Sequence, residues 1–239
     1  MKQIFTALTI LISFSIFSQE TLKVEYEIIP TYEAPPSPVK IITKNTYYHL
    51  TIDGAESEFK KFEKLSNEQP IDMSGAVFMV EMGPNGLLYR NTNLNQLIEE
   101  RVFIDKHFLI IDSIKSINWK ITKEKKEILG FQCYMATAIL EDGTNVTAWY
   151  APKLNFKTGP DKFWGLPGLI LEVETELAHS EKEKEKAIYK ATNVKVLKSN
   201  YTISKPTKGK VVTELDYQNF EKEYFDKQNE MYSNGVDKD

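Results

Sequence analysis

Apolar and polar residues alternate along most of the chain. Leu22, Val24, Tyr26 and Ile28 interleave with Lys23, Glu25 and Glu27, the period of a half-buried β-strand. Asn45–Ile52 is rich in aromatic and β-branched residues, and Asp53-Gly54 supplies a hairpin turn towards Glu56–Phe62. Further strands are predicted over Ala76–Met82, Leu87–Asn91, Gln96–Asp105 and His107–Asp112, and around Ile117, Trp119 and Ile121. A meander follows: Phe131–Leu140 and Thr144–Tyr150, separated by Glu141-Asp142-Gly143. Leu169–Leu177 and Ala187–Leu197 form a long hairpin whose tip is the Lys/Glu run Glu181–Lys186. Pro30–Pro38 holds four prolines and reads as a loop outside any ladder, and Ser66–Ser74 reads as another loop.

One segment changes period. In Thr213–Tyr232 the residues Leu215, Phe220, Tyr224, Phe225, Gln228 and Met231 recur at helical spacing, and Thr213 with Asp216 forms a capping pair. The predicted fold is mainly β. It is a single antiparallel, strongly curved sheet or open barrel of about ten strands, with one C-terminal amphipathic helix near 213–232.

The N-terminus sets the expected compartment. Lys2 precedes an apolar run from Ile4 to Phe17, and Ser18-Gln19-Glu20 follows, the layout of a secretory signal cut after Ser18. Residues 1–18 are thus expected to leave, and 19–239 to act as one β domain in the periplasm or outside the cell. The run is too short to span a bilayer, and no later stretch is long and apolar enough. The net charge of −4 is spread without a basic stripe, which argues against nucleic acid. With one cysteine, Cys133, no intramolecular disulfide forms, so the core alone must hold the domain.

Residues 159–168 stand out. Gly159, Pro160, Gly165, Pro167 and Gly168 fix an irregular backbone, and Phe163 and Trp164 are threaded among them. This is either a rigid corner closing one end of the sheet or the lip of an apolar pocket. In the second reading Trp149, Tyr150, Phe163, Trp164 and Leu166 are the ligand-binding candidates.

Gly165-Leu166-Pro167-Gly168-Leu169-Ile170 resembles the signature of the GLPGLI family, exported proteins of Bacteroidota-type bacteria largely without assigned function. Trp119-Lys120-Ile121, Ile128–Cys133, Ala148-Trp149-Tyr150 and Gly159-Pro160 precede it in the order that family shows, so the resemblance covers Ile117–Glu174. More distantly, the order of strands is similar to the open sheets of Lol-type lipoprotein carriers. That resemblance implies a concave apolar sheet that holds acyl chains, without identifying a lining residue by residue.

No constellation of reactive side chains selects a site. His49, His107 and His179 lie in separate elements, and none sits three to five residues from another histidine or a cysteine. Met79 and Met82 fall on opposite faces of a strand, which favours packing over copper(I) binding. Nucleophile motifs are absent in suitable contexts, the phosphate loop is absent, no spacing selects a carboxylate pair, and no cofactor is implied. Three readings stay open. One is a non-catalytic carrier of a lipid or other apolar or amphiphilic small molecule. The second is an envelope protein meeting a protein partner through its helix or an edge strand. The third is a hydrolase, which needs at least two ionisable groups converging in a cleft.

Overall fold

The computed structural model describes residues 21–64, 77–180, 183–197 and 201–234. The expected signal at 1–18, the loop at Ser66–Ser74 and Glu181 lie outside them. The described elements are β1 (Thr21–Glu33), β2 (Lys40–Thr43), β3 (Thr46–Asp53), β4 (Glu56–Lys61), β5 (Val77–Val80), β6 (Leu88–Asn91) and β7 (Gln96–Phe103). They continue with β8 (Lys106–Ser113), β9 (Lys120–Ile128), β10 (Phe131–Ile139), β11 (Asn145–Ala151), β12 (Leu169–Ser180), β13 (Glu183–Leu197), β14 (Lys210–Val212) and helix α1 (Glu214–Asn234).

Twelve strands make one sheet in the order β14-β8-β7-β6-β4-β3-β1-β13-β12-β11-β10-β9. Its two edge strands, β14 and β9, do not pair with each other, so the sheet is open rather than a closed barrel. The pairing is antiparallel except where the short β14 runs parallel to β8. A separate parallel pair joins β2 to β5. The architecture is therefore a mixed sheet, and the expectation of one purely antiparallel sheet is corrected at these two places. Both parallel pairs join segments far apart in sequence, which alternation cannot orient.

Local chemistry explains most elements. In β1 the buried residues Leu22, Val24, Tyr26 and Ile28 alternate with half-buried polar ones. Leu129 and Gly130 both take positive φ (52° and 78°) in the two-residue turn between β9 and β10, as a tight hairpin requires. Thr213 caps α1: its hydroxyl accepts from the Asp216 N–H at 3.1 Å, and Asp216 Oδ2 accepts from the Thr213 hydroxyl at 2.8 Å. The helix docks through aromatics, with Phe108 ringed by Tyr217 (5.2 Å) and Phe220 (5.0 Å) and Phe103 meeting Tyr224 at 5.3 Å.

Three boundaries differ from expectation. β1 continues through Pro30, which pairs with Ala187, because β3 begins only at Thr46, opposite Ile28, and does not reach Pro30. Pro30 thus needs no N–H on that side. The described part of the Lys/Glu run is strand rather than a tip: Lys184–Lys186 pair with both β1 and β12, and Glu183 pairs with Ser180 of β12. The strand around Trp119 starts at Lys120 and runs through the charged stretch to Ile128. It can be that polar because it is an edge, and Lys120, Lys123, Lys125 and Lys126 are the residues that discourage further strand pairing.

The main core cluster is shared by strands from both halves, and smaller buried clusters form around Tyr89, Ile98 and Leu109 and around Phe108, Ile110 and Tyr217. Tyr26, Ile28, Tyr48, Leu50, Phe59 and Leu88 join Val146, Ala148, Leu171 and Val173 in one cluster. The Tyr26 hydroxyl, buried among them, donates to the Ile170 carbonyl beside a β-bulge in the β11–β12 pairing. The chain passes closely at Gly168, where a Cβ would stand 2.4 Å from the Ala151 carbonyl oxygen. Gly168→Ala should therefore destabilise the protein by about 2 kcal/mol, read as a lower urea midpoint with an unchanged slope.

Candidate functional site

The seventeen-position excursion 152–168, between β11 and β12, is the longest described connection in the sheet's second half. Long ordered loops of this kind are held by their own contacts. Gly165 N–H donates to the Lys157 carbonyl, Leu169 N–H to Leu154 and Ile170 N–H to Thr158. Gly159 lies so close to β12 that a Cβ would stand 2.7 Å from Ile170 Cβ. Trp119 Nε1 donates to the Trp164 carbonyl at 2.8 Å, and Trp164 Nε1 donates to the Lys115 carbonyl at 2.6 Å.

The five aromatic and aliphatic candidates do not gather around one opening. Phe163 and Leu166 are buried in the core, at 6% and 1% exposure. Trp164 is half-buried and tied to residues 115 and 119. Tyr150 is buried beside Tyr134, its cross-strand partner on β10. Strand alternation turns Trp149 to the other side of β11, where the Lys126 ammonium lies 4.2 Å from its ring centroid and pairs with Glu172. Gly159, Pro160, Gly165, Pro167 and Gly168 all lie in the excursion, where Gly159, Pro160 and Gly168 are buried and Gly165 and Pro167 are exposed.

A buried cation anchors this corner. Arg90 on β6 is 2% exposed, and its guanidinium donates to the Thr158 hydroxyl and the Asp161 carbonyl, each at 2.5 Å. Its Nε has no hydrogen-bond partner among the described residues. Burial lowers the Arg90 pKa to about 10, so it stays charged at neutral pH. Asp161 holds a left-handed φ of 49°, which presents its carbonyl to Arg90 and its carboxylate to the Tyr189 hydroxyl at 3.3 Å. Burial raises the pKa of the Asp161 carboxyl.

Beside the corner opens a cleft of about 470 Å³, walled by β7, α1, the turn at 82–85 and Asp161-Lys162. Its floor is an ion network. Glu99 meets Arg101 at 2.6 Å and Lys162 at 3.0 Å, and Arg101 meets Glu214 at 2.9 Å. Burial pushes the Glu99 pKa up, but Arg101 and Lys162 outweigh it and hold the carboxyl below its usual range. Lys61 and Glu81 pair at 2.7 Å on the far wall, and the Tyr48 hydroxyl donates to the Pro84 carbonyl at 2.9 Å.

The residues of this cleft were not singled out by sequence spacing. Glu99-x-Arg101 places opposite charges on one face of a strand and is a usable signal. Nothing local joins that pair to Lys162 and Glu214, which arrive from other elements. Elsewhere, His49 stacks on Phe62 at 3.8 Å, while His107 and His179 lie in other strands. Burial raises the Cys133 thiol to about 11, which leaves it unreactive. Among the described residues no group of three His, Cys, Asp or Glu is placed to hold a metal ion. No described helix is long and apolar enough to cross a membrane.

Comparison with known proteins adds a family match over this same region. Residues 139–172 match Porph_ging, described as a protein of unknown function. The stretch takes in β11, the whole excursion and the start of β12. No curated protein matches the chain. Among solved structures, PNGF-II in two crystal forms overlays with TM-scores of 0.52 and 0.53 at 16% and 17% identity, over 84% of this chain. The chain spans about a third of PNGF-II, 32% of its length, and the likeness is one of fold. An uncharacterized conserved protein from Thermus thermophilus overlays at 0.40, with 7% identity over 82% of this chain and 92% of that one. A LolA superfamily protein from Nitrosomonas europaea overlays at 0.31, with 10% identity over 77% and 89%. These last two overlays are too loose to carry an argument about function.

Two measurements test the electrostatics. Arg101→Ala leaves Glu99 and Glu214 without their main partner and should cost about 3 kcal/mol of stability in urea denaturation. Asp161→Asn tests the opposite sign. A carboxyl whose folded pKa is raised favours folding only while protonated, so its contribution is lost as pH rises through that pKa. Asn also tolerates the left-handed φ. The variant should be more stable than the parent at pH 7, and the difference should vanish below the ordinary aspartate value of 3.8.

Proposed function

We infer that this is an exported, non-catalytic binding protein of the cell envelope, and that its ligand sits at the surface in the charged cleft. The observation that carries this reading is where the structure leaves space. The inner face of the sheet is filled by its own side chains, including Phe163 and Leu166 from the excursion. The cleft of about 470 Å³ beside it falls within the ~300–1,000 Å³ of small-molecule sites and gathers polar groups from six segments. Its mixed charges and its phenols, Tyr48 and Tyr217, suit a ligand with polar and apolar parts.

Carboxylates do converge here, as a hydrolase would need. Glu99, however, is 4% exposed and locked between Arg101 and Lys162, so it is badly placed to exchange protons with a substrate. Pairing through an edge strand is also poorly served. β9 is studded with lysines and β14 is three residues long.

Native mass spectrometry of protein isolated from its own envelope should detect a bound small molecule. Glu221→Trp, which places an indole in the cleft from α1, should reduce its occupancy at least about tenfold. Wild-type protein that carries nothing, or a blocked variant with full occupancy, would refute the reading.

A further inference from the structure

We propose a second binding site, for a small organic anion with an apolar body, in the groove between Tyr134, Tyr150 and the start of the excursion. This groove, of about 310 Å³, is lined by Gln132, Tyr134, Tyr150, Pro152 and Lys153. It shares no lining residue with the charged cleft.

The Tyr150 ring is buried, its hydroxyl is not sealed from solvent but opens on the groove, and its phenol meets no acceptor among the described residues. The other buried tyrosines all have one. Tyr26 donates to Ile170, Tyr48 to Pro84, Tyr89 to Glu56, Tyr189 to Asp161 and Tyr217 to Glu221. A phenol that finds no internal partner and opens on a groove is free to donate to an acceptor that enters there. Tyr150 lines the groove, so a ligand seated there meets a free phenol donor.

The surroundings define the acceptor. Lys153 is in the wall, and the Lys125 ammonium lies 5.0 Å from the Tyr134 ring centroid, while no carboxylate lines the groove. The local charge is positive, which selects an anion. The two rings, 6.1 Å apart and tilted by 34°, with Pro152 beside them, offer apolar surface to the rest of the molecule. An aryl or short-chain carboxylate satisfies both demands.

Titration calorimetry with 4-phenylbutyrate on the full chain tests this, with the uncharged 4-phenylbutyramide as control. Saturable binding of the acid should weaken about tenfold in Tyr150→Phe and in Lys153→Ala, and the amide should bind correspondingly worse. Tyr150→Phe should leave the urea midpoint unchanged, since no internal hydrogen bond is lost. Glu221→Trp should bind the acid as wild type does, which separates this site from the cleft. Absence of saturable binding, equal binding of acid and amide, or full affinity in Tyr150→Phe would overturn the proposal and leave water as the hydroxyl's partner.

Discussion

A guanidinium sealed in an apolar interior must be bonded on the spot, and in this protein the Arg90 contacts decide where the excursion 152–168 sits. Arg90 comes from β6 and the excursion from the other half of the sheet, so its bonds to Thr158 and Asp161 tie the two halves through the loop. The apolar residues of the excursion follow. Once Thr158 and Asp161 are placed, Phe163 and Leu166 join the main core cluster. The cost is visible in the unpaired Nε and in the unfavourable burial of both the Arg90 cation and the Asp161 carboxyl.

Glycine makes the close packing of that loop feasible. At Gly159 and Gly168 the loop backbone lies against β12 and against the end of β11 at distances no side chain permits. The same backbone turns Asp161 into its left-handed conformation, and that turn carries Lys162 out to Glu99. Corner and cleft are thus one construction. Lys162 and Arg101 each bridge to Glu214, so the first turn of α1 is held by the same ion network that closes over the corner. A ligand that perturbed the cleft would be felt by the helix and by the loop together.

Much of the fold is legible in the chain. Alternation in β1, β3, β10 and β11, the Asp53-Gly54 and Leu129-Gly130 turns, and the Thr213–Asp216 cap each rest on residues close in sequence. The weak points are those where neighbours in space override local pattern. Pro30 stays in a strand because β3 stops short of it, β9 is polar because it is an edge, and the parallel pairings of β14 and β2 join distant segments. For the site, residues 159–168 announce themselves by their glycines, prolines and aromatics. Their role in filling the core, and the scattering of Trp149 and Trp164 away from a shared pocket, do not.

By itself the sequence determined a β-rich chain with a capped C-terminal helix and an irregular corner at 159–168, because periodicity, turn chemistry and capping act within a few residues. Only the tertiary structure decided that Arg90 would meet that corner, that Glu99, Arg101, Lys162 and Glu214 would join one ion network, and that the Tyr150 hydroxyl would find no partner among the described residues. Those outcomes depend on which strands lie across from one another, and charge and hydrogen bonding read distance in space rather than separation along the chain.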